Sequence, residues 1–144
     1  MYAPHTVTVF NVGEENMVTF EQPVYATILT GVLLDASKAV NVRASGLEGA
    51  DSVNLYIPFS VDATDAVTGR RRQYADPKVY EQTDDVSGLW TLKTSDCFFV
   101  KGALNEVADF STINKKYDDV YRVTKVDKKD FGSPGMRHWE VGGA

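Results

Sequence analysis

The last quarter of the chain, Asp118–Ala144, decides the fold and reads DDVYRVTKVDKKDFGSPGMRHWEVGGA. Its first part is a run of β-branched and aromatic residues at Val120, Tyr121, Val123 and Val126. Gly132-Ser133-Pro134-Gly135 then breaks the run, and an apolar pattern resumes at Met136, Trp139 and Val141. This order predicts strand, loop, strand. The C-terminus is therefore expected in the sheet or in a contact surface.

The size and charge of the chain fit one domain spanning residues 1–144, and a chain of this length can bury roughly two thirds of its unfolded surface. It has 144 residues, with 15 Lys and Arg against 20 Asp and Glu. The formal charge of -5 argues against wrapping a duplex with the whole surface. No apolar run approaches the roughly 20 residues of a spanning helix. The N-terminus lacks the segments of a secretory signal, so we expect a protein used where it is made or in a particle assembled there.

Several earlier segments also predict strands. Thr6–Phe10 is a row of β-formers, and Met17–Phe20 is expected to pair back onto it as a hairpin. Val24–Leu34 predicts one long strand, bent at Gly31, because a glycine inside a strand often marks a bulge. Asp51–Phe59 alternates, which places Val53, Leu55 and Ile57 on a core face.

The middle of the chain is less regular. Asp35–Ala50 predicts a connecting loop, and Ser60–Tyr74 predicts a long insertion that projects outward. Tyr74–Tyr80 looks extended, and Leu89–Leu92 with Cys97–Val100 predicts a hairpin. One helix of about three turns is expected after Asn105, which would cap it, with Lys115 and Lys116 near its end. The predicted fold class is mainly β: a small curled sheet or β-barrel with one short α-helix and a long inserted loop.

No catalytic or metal-binding pattern stands out. The histidines, His5 and His138, lie near opposite ends of the chain, without the spacing of a triad or a zinc site. Asp84-Asp85 and Asp118-Asp119 lack the pattern of a calcium loop and are expected to be solvated turns. Cys97, the single cysteine, precedes Phe98 and is expected to be buried and inert. We therefore expect no cofactor and no metal.

Two sets of residues are candidates for binding. Arg70, Arg71 and Arg72 form the sharpest charged feature, equally well explained as a solvated loop tip or as a contact with phosphate backbone or an acidic partner. Interfaces are enriched in aromatic residues, Met and Arg. The candidate interface set is Phe131, Met136, Arg137 and His138. Trp139 is expected in the core, and Phe131 in an interface.

The chain resembles a family of small proteins of tailed phages and prophages of Gram-positive bacteria. The likeness runs nearly end to end and is carried by Met1–Phe10, by Asp51–Ser60 (DSVNLYIPFS) and by Val123–Gly143. It is most specific in the closing GSPGMRHWEVGG, whereas Val61–Leu89 carries no diagnostic residue. The layout is similar to that of head-closure, or stopper, and head–tail connector proteins.

This resemblance implies a non-enzymatic virion protein of the head-to-tail neck. Copies would form a homo-oligomeric ring around the DNA channel, between the portal or adaptor and the tail-terminator or tail proteins, with no membrane contact. Isolated subunits would be monomeric or weakly associated, and Ala44–Ala50 and Val61–Tyr74 would become ordered on ring formation. The alternatives are another virion component, such as a tail-completion, minor capsid or decoration protein, and, more remotely, an enzyme that uses His138 or Cys97.

Overall fold

The computed structural model describes residues 3–13, 17–35 and 52–144, which form nine strands, two short α-helices and a 3-10 turn. The strands are β1 (His5–Val12), β2 (Val24–Asp35), β3 (Val53–Pro58), β4 (Asp62–Asp65), β5 (Gln73–Tyr74), β6 (Leu89–Trp90), β7 (Cys97–Lys101), β8 (Val120–Lys129) and β9 (His138–Gly143). The helices are α1 (Pro77–Gln82) and α2 (Phe110–Lys116), and Pro134–Met136 is the 3-10 turn. The mainly β class with a curled sheet, predicted from the sequence, is confirmed.

Six of these strands close into a barrel, because their backbone pairings return to the first strand. The order is β1, β7, β8, β9, β3 and β2, and β2 pairs again with β1. Every neighbouring pair in this cycle is antiparallel. β4 adds to β2 through Thr27–Thr30, and β5 and β6 form a separate parallel pair.

Two long, irregular strands make the closure possible. β2 pairs with β1 up to Val32 and with β3 from Leu33 onward, and Gly31 in between has φ +90. The register against β1 shifts at this point, between His5 and Thr6. β8 pairs first with β7 and then with β9, with a register shift between Val123 and Lys125. Such bulges bend a strand, and here they let one strand serve two parts of the barrel wall.

The barrel interior is filled by side chains that alternate along the strands. The inner cluster includes Val7 and Val9 of β1, Leu55 and Ile57 of β3, Phe99 of β7, and Trp139 and Val141 of β9. A second cluster lies on the outer face of β1 and β7, where α2 and the segment before it cover Phe10, Phe98 and Val100. The sheet is therefore buried on both faces at this position.

α2 covers this outer face through one buried residue, Ile113. The helix begins after Asp109, whose carboxylate accepts a hydrogen bond from the N–H of Thr112 at 2.9 Å. It is thus shorter than predicted, and the cap is Asp109 rather than Asn105. Lys115 and Lys116 lie in its last turn, as expected.

Several other predictions of local structure are wrong. Met17–Phe20 forms an exposed turn rather than a strand, and β1 pairs with β2 instead. Tyr74–Tyr80 contains the start of a helix, which Pro77 favours because proline fits a first helical turn. Leu89–Leu92 and Cys97–Val100 do not pair: β6 joins β5, and β7 joins β1 and β8.

The prediction that Ser60–Tyr74 forms a projecting loop is also wrong. It contains β4, a turn, and a return segment in which Arg71 pairs with Thr64. Because the segment is paired within one chain, assembly is not needed to order it, contrary to the expectation for Val61–Tyr74. The other predicted loops, Asp35–Ala50 and within it Ala44–Ala50, lie almost wholly outside the described residues. Among the described residues, no helix is long and apolar enough to span a bilayer.

Gly143 sits where two strands meet tightly, so its lack of a side chain is a packing requirement. A Cβ at this position would lie 2.8 Å from Cζ of Phe99 and 3.0 Å from Cβ of Tyr121. We expect Gly143→Ala to lower the free energy of unfolding by about 1–3 kcal/mol through overpacking. Urea denaturation measures the change. Gly135→Ala is the matched control, because no heavy atom lies within 4 Å of its Cβ position; equal effects of the two substitutions would contradict the packing account.

Candidate protein interface at one end of the barrel

The connections that follow β1, β3 and β8 all lie at one end of the barrel. β1 and β8 are both antiparallel to β7, and β3 and β1 are both antiparallel to β2. These three strands therefore run in the same direction. β4 runs this way too, since it is also antiparallel to β2. The segments 17–23, 59–61, 66–70 and 130–137 consequently lie toward the same end.

This end carries most of the exposed large apolar side chains of the described residues. Val67, on loop 66–70, is 68% exposed. On the loops after β1 and β8 the exposed fractions are 85% for Met17 and Val18, 75% for Phe20, 70% for Phe131 and 62% for Met136. We call these five residues the apolar end. Scattered exposed apolar residues are ordinary on a protein surface, but a concentration on the loops at one end is typical of a contact surface.

Phe20 has a backbone conformation that is unusual for a bulky residue. Its φ is 58, in the left-handed region that favours glycine and asparagine. Such conformations cost about 1–3 kcal/mol and occur most often at functional sites. A strained, mostly exposed aromatic residue on the apolar end therefore marks residues 17–23 as a candidate contact segment.

The loop between β8 and β9 presents two of the residues predicted for an interface. Phe131 and Met136 are exposed around the 3-10 turn, while Arg137 and His138 are half-buried. The Arg137 carbonyl accepts a hydrogen bond from the N–H of Phe59 at 3.1 Å. His138 Nδ1 lies 2.8 Å from the carbonyl oxygen of Met136. Arg137 and His138 thus hold the loop against the barrel, and Phe131 and Met136 are left to make contacts.

Beneath this loop lies a cluster of aromatic rings around Trp139. The centroid of its ring is 4.3 Å from those of Phe59 and Tyr74 and 5.7 Å from that of Trp90. Trp139 is 5% exposed, which confirms its predicted core position. The cluster gives the candidate interface a rigid floor, because closely packed large rings have little freedom to move.

A groove of about 420 Å³ opens beside this cluster. Its walls are Tyr74, Leu92, Val126 and Trp139, and its rim carries Asp76, Pro77, Lys93, Thr94 and Lys128. Burial, followed by the negative charge of Asp76, raises the pKa of Tyr74 to about 12, so its hydroxyl stays neutral. The groove combines an apolar wall with two lysines at its edge.

A larger depression of about 730 Å³ lies between the start of β7, the start of α2 and β8. The Arg122 guanidinium lies 4.0 Å from the centroid of the Phe110 ring in this depression, a distance typical of a cation–π contact. This contact helps to attach α2 to the barrel. The depression is otherwise lined largely by exposed hydroxyl and carboxylate side chains.

The three arginines predicted as one projecting group separate into two kinds. Arg70 and Arg71 are exposed, whereas Arg72 is only 7% exposed. The prediction of three projecting guanidiniums is therefore wrong for Arg72. Neighbouring residues of an extended segment point to opposite faces, so the pairing of Arg71 with Thr64 turns Arg72 inward. Sequence reasoning missed this because it treated the segment as a loop.

Arg72 joins three parts of the structure. Its Nη1 donates to the Ala26 carbonyl at 2.9 Å and to Thr27 Oγ1 at 2.8 Å, and its Nε donates to the Ser87 carbonyl at 3.0 Å. Its Nη2 forms a 2.8 Å ion pair with Asp65 Oδ2. The buried guanidinium is thus satisfied by β2, by β4 and by the turn before β6, as a buried charge requires.

Asp65 is held in its charged form. Partial burial raises its pKa, but the N–H groups of Val67 and Thr68 and the charge of Arg72 outweigh burial and leave the pKa below the ordinary value of 3.8. Because the folded pKa is lower than the unfolded pKa, the stability that this carboxylate contributes is present above the unfolded value. It is lost as pH falls through the folded pKa.

We expect Arg72→Gln to lower the free energy of unfolding by about 2–4 kcal/mol, because it leaves Asp65 and two β2 acceptors without their cation. Arg71→Gln is the matched control and should change stability by less than about 0.5 kcal/mol, since that side chain is exposed. Urea denaturation at pH 7 and at pH 3 compares the two. The loss of unfolding free energy caused by Arg72→Gln should be smaller at pH 3 than at pH 7. A loss that does not change with pH, or that is equal in both variants, would contradict the ion-pair account.

Cys97 is buried, as predicted from its apolar context. Burial raises the pKa of its thiol to about 11, and Sγ lies 3.6 Å from Nδ2 of Asn11. We expect alkylation at pH 8 to be slower in the folded protein than in urea by roughly two orders of magnitude or more, because the thiolate is scarce and inaccessible. Mass spectrometry of iodoacetamide-treated protein measures both rates. Rapid labelling of the folded protein would favour the enzyme alternative.

The two histidines lie at different places in the structure. His5 starts β1, and its Nδ1 accepts a hydrogen bond from the N–H of Leu34 at 3.0 Å. His138 begins β9, toward the other end of the barrel. Within residues 3–13, 17–35 and 52–144, no three His, Cys, Asp or Glu residues are grouped to hold a metal ion.

Comparison with known proteins assigns the chain to a family. Residues 2–144, nearly the whole sequence, match a family of unknown function, DUF6751. The chain belongs to that family. No curated protein and no solved structure matches it.

Proposed function

We propose that this chain is a non-enzymatic structural protein of a tailed-phage virion, a subunit of the head-to-tail neck of the head-closure, stopper or connector type. Copies form a ring around the DNA channel between the portal or adaptor and the tail. In this role the chain acts through docking, and the barrel serves as a rigid body with a contact surface at one end.

The apolar end is the observation that carries this proposal. Its five side chains lie on loops supported by packed strands, and an exposed set of Met and aromatic residues is the usual composition of a protein contact. A surface at the end of a barrel suits stacking against a component above or below a ring. Phe131 and Met136 make this contact with the adjoining neck or tail component.

The resemblance to phage neck proteins and this geometry meet in one segment. The closing GSPGMRHWEVGG carries the most specific part of the resemblance, and it forms the second half of the β8–β9 loop together with β9. Met136 of this segment is exposed, while Trp139 and Val141 are buried. The same segment thus supplies both the support and part of the contact surface.

Arg70 and Arg71 are the candidate contacts with channel DNA. They follow β4, which runs toward the apolar end, and both side chains are exposed. Two guanidiniums on a turn can neutralise phosphates without reading base sequence. The formal charge of -5 restricts such contact to this local feature and leaves the rest of the surface free of DNA.

Cryo-electron microscopy of particles from a phage that encodes this chain tests the proposal directly. We expect a ring of copies between portal and tail, with Phe131 and Met136 against the adjoining protein. Density for the chain on the capsid surface or at the tail tip would replace the neck assignment with another virion component. Absence of the chain from purified particles would overturn the virion assignment.

Substitution at the apolar end provides a second test. We expect the double variant Phe131→Ser, Met136→Ser to lose at least about 2 kcal/mol of binding to the adjoining component, roughly a 30-fold weaker affinity, because it removes two apolar anchors. Incorporation into particles during complementation measures the loss. Val107→Ser is the matched control, since Val107 is 39% exposed on the segment before α2; equal losses in both variants would contradict the assignment of this surface.

A further inference from the structure

The structure contains an exposed apolar segment and an apolar groove that complement each other but occupy different sectors of the barrel end. We propose that Met17–Glu21 of one copy binds in the groove between β8 and residues 92–94 of the next copy. This contact would join adjacent subunits laterally. The inference rests on the ring proposed above, and it names the surfaces by which the ring closes.

The groove borders an unpaired strand edge. β7 pairs with β8 only at Val120–Arg122, and from Thr124 to Lys129 β8 pairs with β9 alone among the described strands. The side chains of Val126 and Lys128 line the groove along this edge. The groove is open along this edge, so the turn that contains Phe20 can place an apolar side chain toward Leu92 and Trp139.

The rim of the groove carries two lysines, Lys93 and Lys128, and one aspartate, Asp76, which favours an acidic occupant. Lys93 Nζ lies 3.7 Å from Glu81, and Lys128 Nζ lies 3.8 Å from Asp76, so both pairs are longer than a hydrogen bond. Lys125 and Lys129 add positive charge along the same strand, although Lys125 is paired with Asp127 at 2.9 Å. Lysines on this edge repel a basic segment and attract an acidic one.

The segment Met17–Glu21 has the matching chemistry. Met17, Val18 and Phe20 are its exposed apolar residues, and Glu21 is an exposed carboxylate next to them. In the sequence, Glu14 and Glu15 precede the segment, so this part of the chain is acidic. An aromatic side chain flanked by carboxylates suits an apolar groove rimmed by lysines.

The positions of segment and groove make the contact heterologous. The segment connects β1 to β2, whereas the groove lies on the far side of β7, along β8. Two different patches that bind each other across copies generate a ring when the rotation closes. A self-complementary patch would instead give a closed dimer. The arrangement thus agrees with a ring assembled from weakly associating subunits.

Cysteine cross-linking tests the contact in solution. Glu21→Cys and Lys128→Cys are prepared as separate proteins, mixed at high concentration and oxidised, and mass spectrometry identifies the mixed disulfide. The native thiol does not interfere, because Cys97 is buried. We expect the mixed disulfide to form roughly tenfold faster than that between Glu21→Cys and Lys115→Cys, since docking raises the local concentration. Equal rates would overturn the inference.

Charge exchange and a matched polar variant provide the second test. Glu21→Lys and Lys128→Glu should each weaken self-association measured by sedimentation, and a mixture of the two should associate more strongly than either alone. Phe20→Asn should weaken association without destabilising the fold, because asparagine tolerates the left-handed backbone at this position. Unchanged association in Phe20→Asn, or no recovery in the mixture, would contradict docking of this segment.

The outcomes separate this inference from the neck proposal. A ring in the particle without the expected cross-link would remove the lateral contact and leave the neck assignment standing. A cross-link in solution from a chain that is absent from particles would support the lateral contact and remove the neck assignment.

Discussion

The pairing of β1 with β2 is the interaction on which the rest of this structure depends, because it turns an open sheet into a closed barrel. Closure leaves few free strand edges, so the barrel resists edge-to-edge aggregation. It also forces the interior to be filled by alternating side chains. Closure of the barrel requires the bulges at Gly31 and around Thr124, since straight strands could not form two parts of the wall.

Arg72 stabilises the part of the structure added outside this barrel. β4, the turn after it and the β5–β6 pair are short elements with few backbone pairings of their own. A guanidinium that bonds to β2, to Asp65 and to Ser87 fixes their positions together. This leaves Arg70 and Arg71 on a supported turn, so any contact they make costs less conformational entropy than a contact from a free loop.

The sequence predicted the elements whose pattern is local and strong. β1, the long bent β2, the alternating β3 and the β8–β9 hairpin all follow from β-branched runs and glycine positions, and the buried states of Trp139 and Cys97 follow from their apolar neighbours. The pairing of β1 with β7 and that of β3 with β9 join strands distant in sequence, so local patterns could not show them. Phe131 and Met136 were predicted for an interface and are exposed. Met17–Phe20 was wrongly predicted to be a strand, because its residues are β-forming but lie on an exposed turn.

The last residue of the chain has a practical consequence. Ala144 exchanges two backbone hydrogen bonds with Arg122, at 3.0 and 2.9 Å, so its backbone is held in the barrel wall. Since β9 runs opposite to β8, it finishes at the barrel end remote from Phe131 and Met136. An affinity tag or fluorescent protein fused after Ala144 would therefore emerge away from the proposed contacts, which makes this terminus the suitable attachment point for imaging assembly.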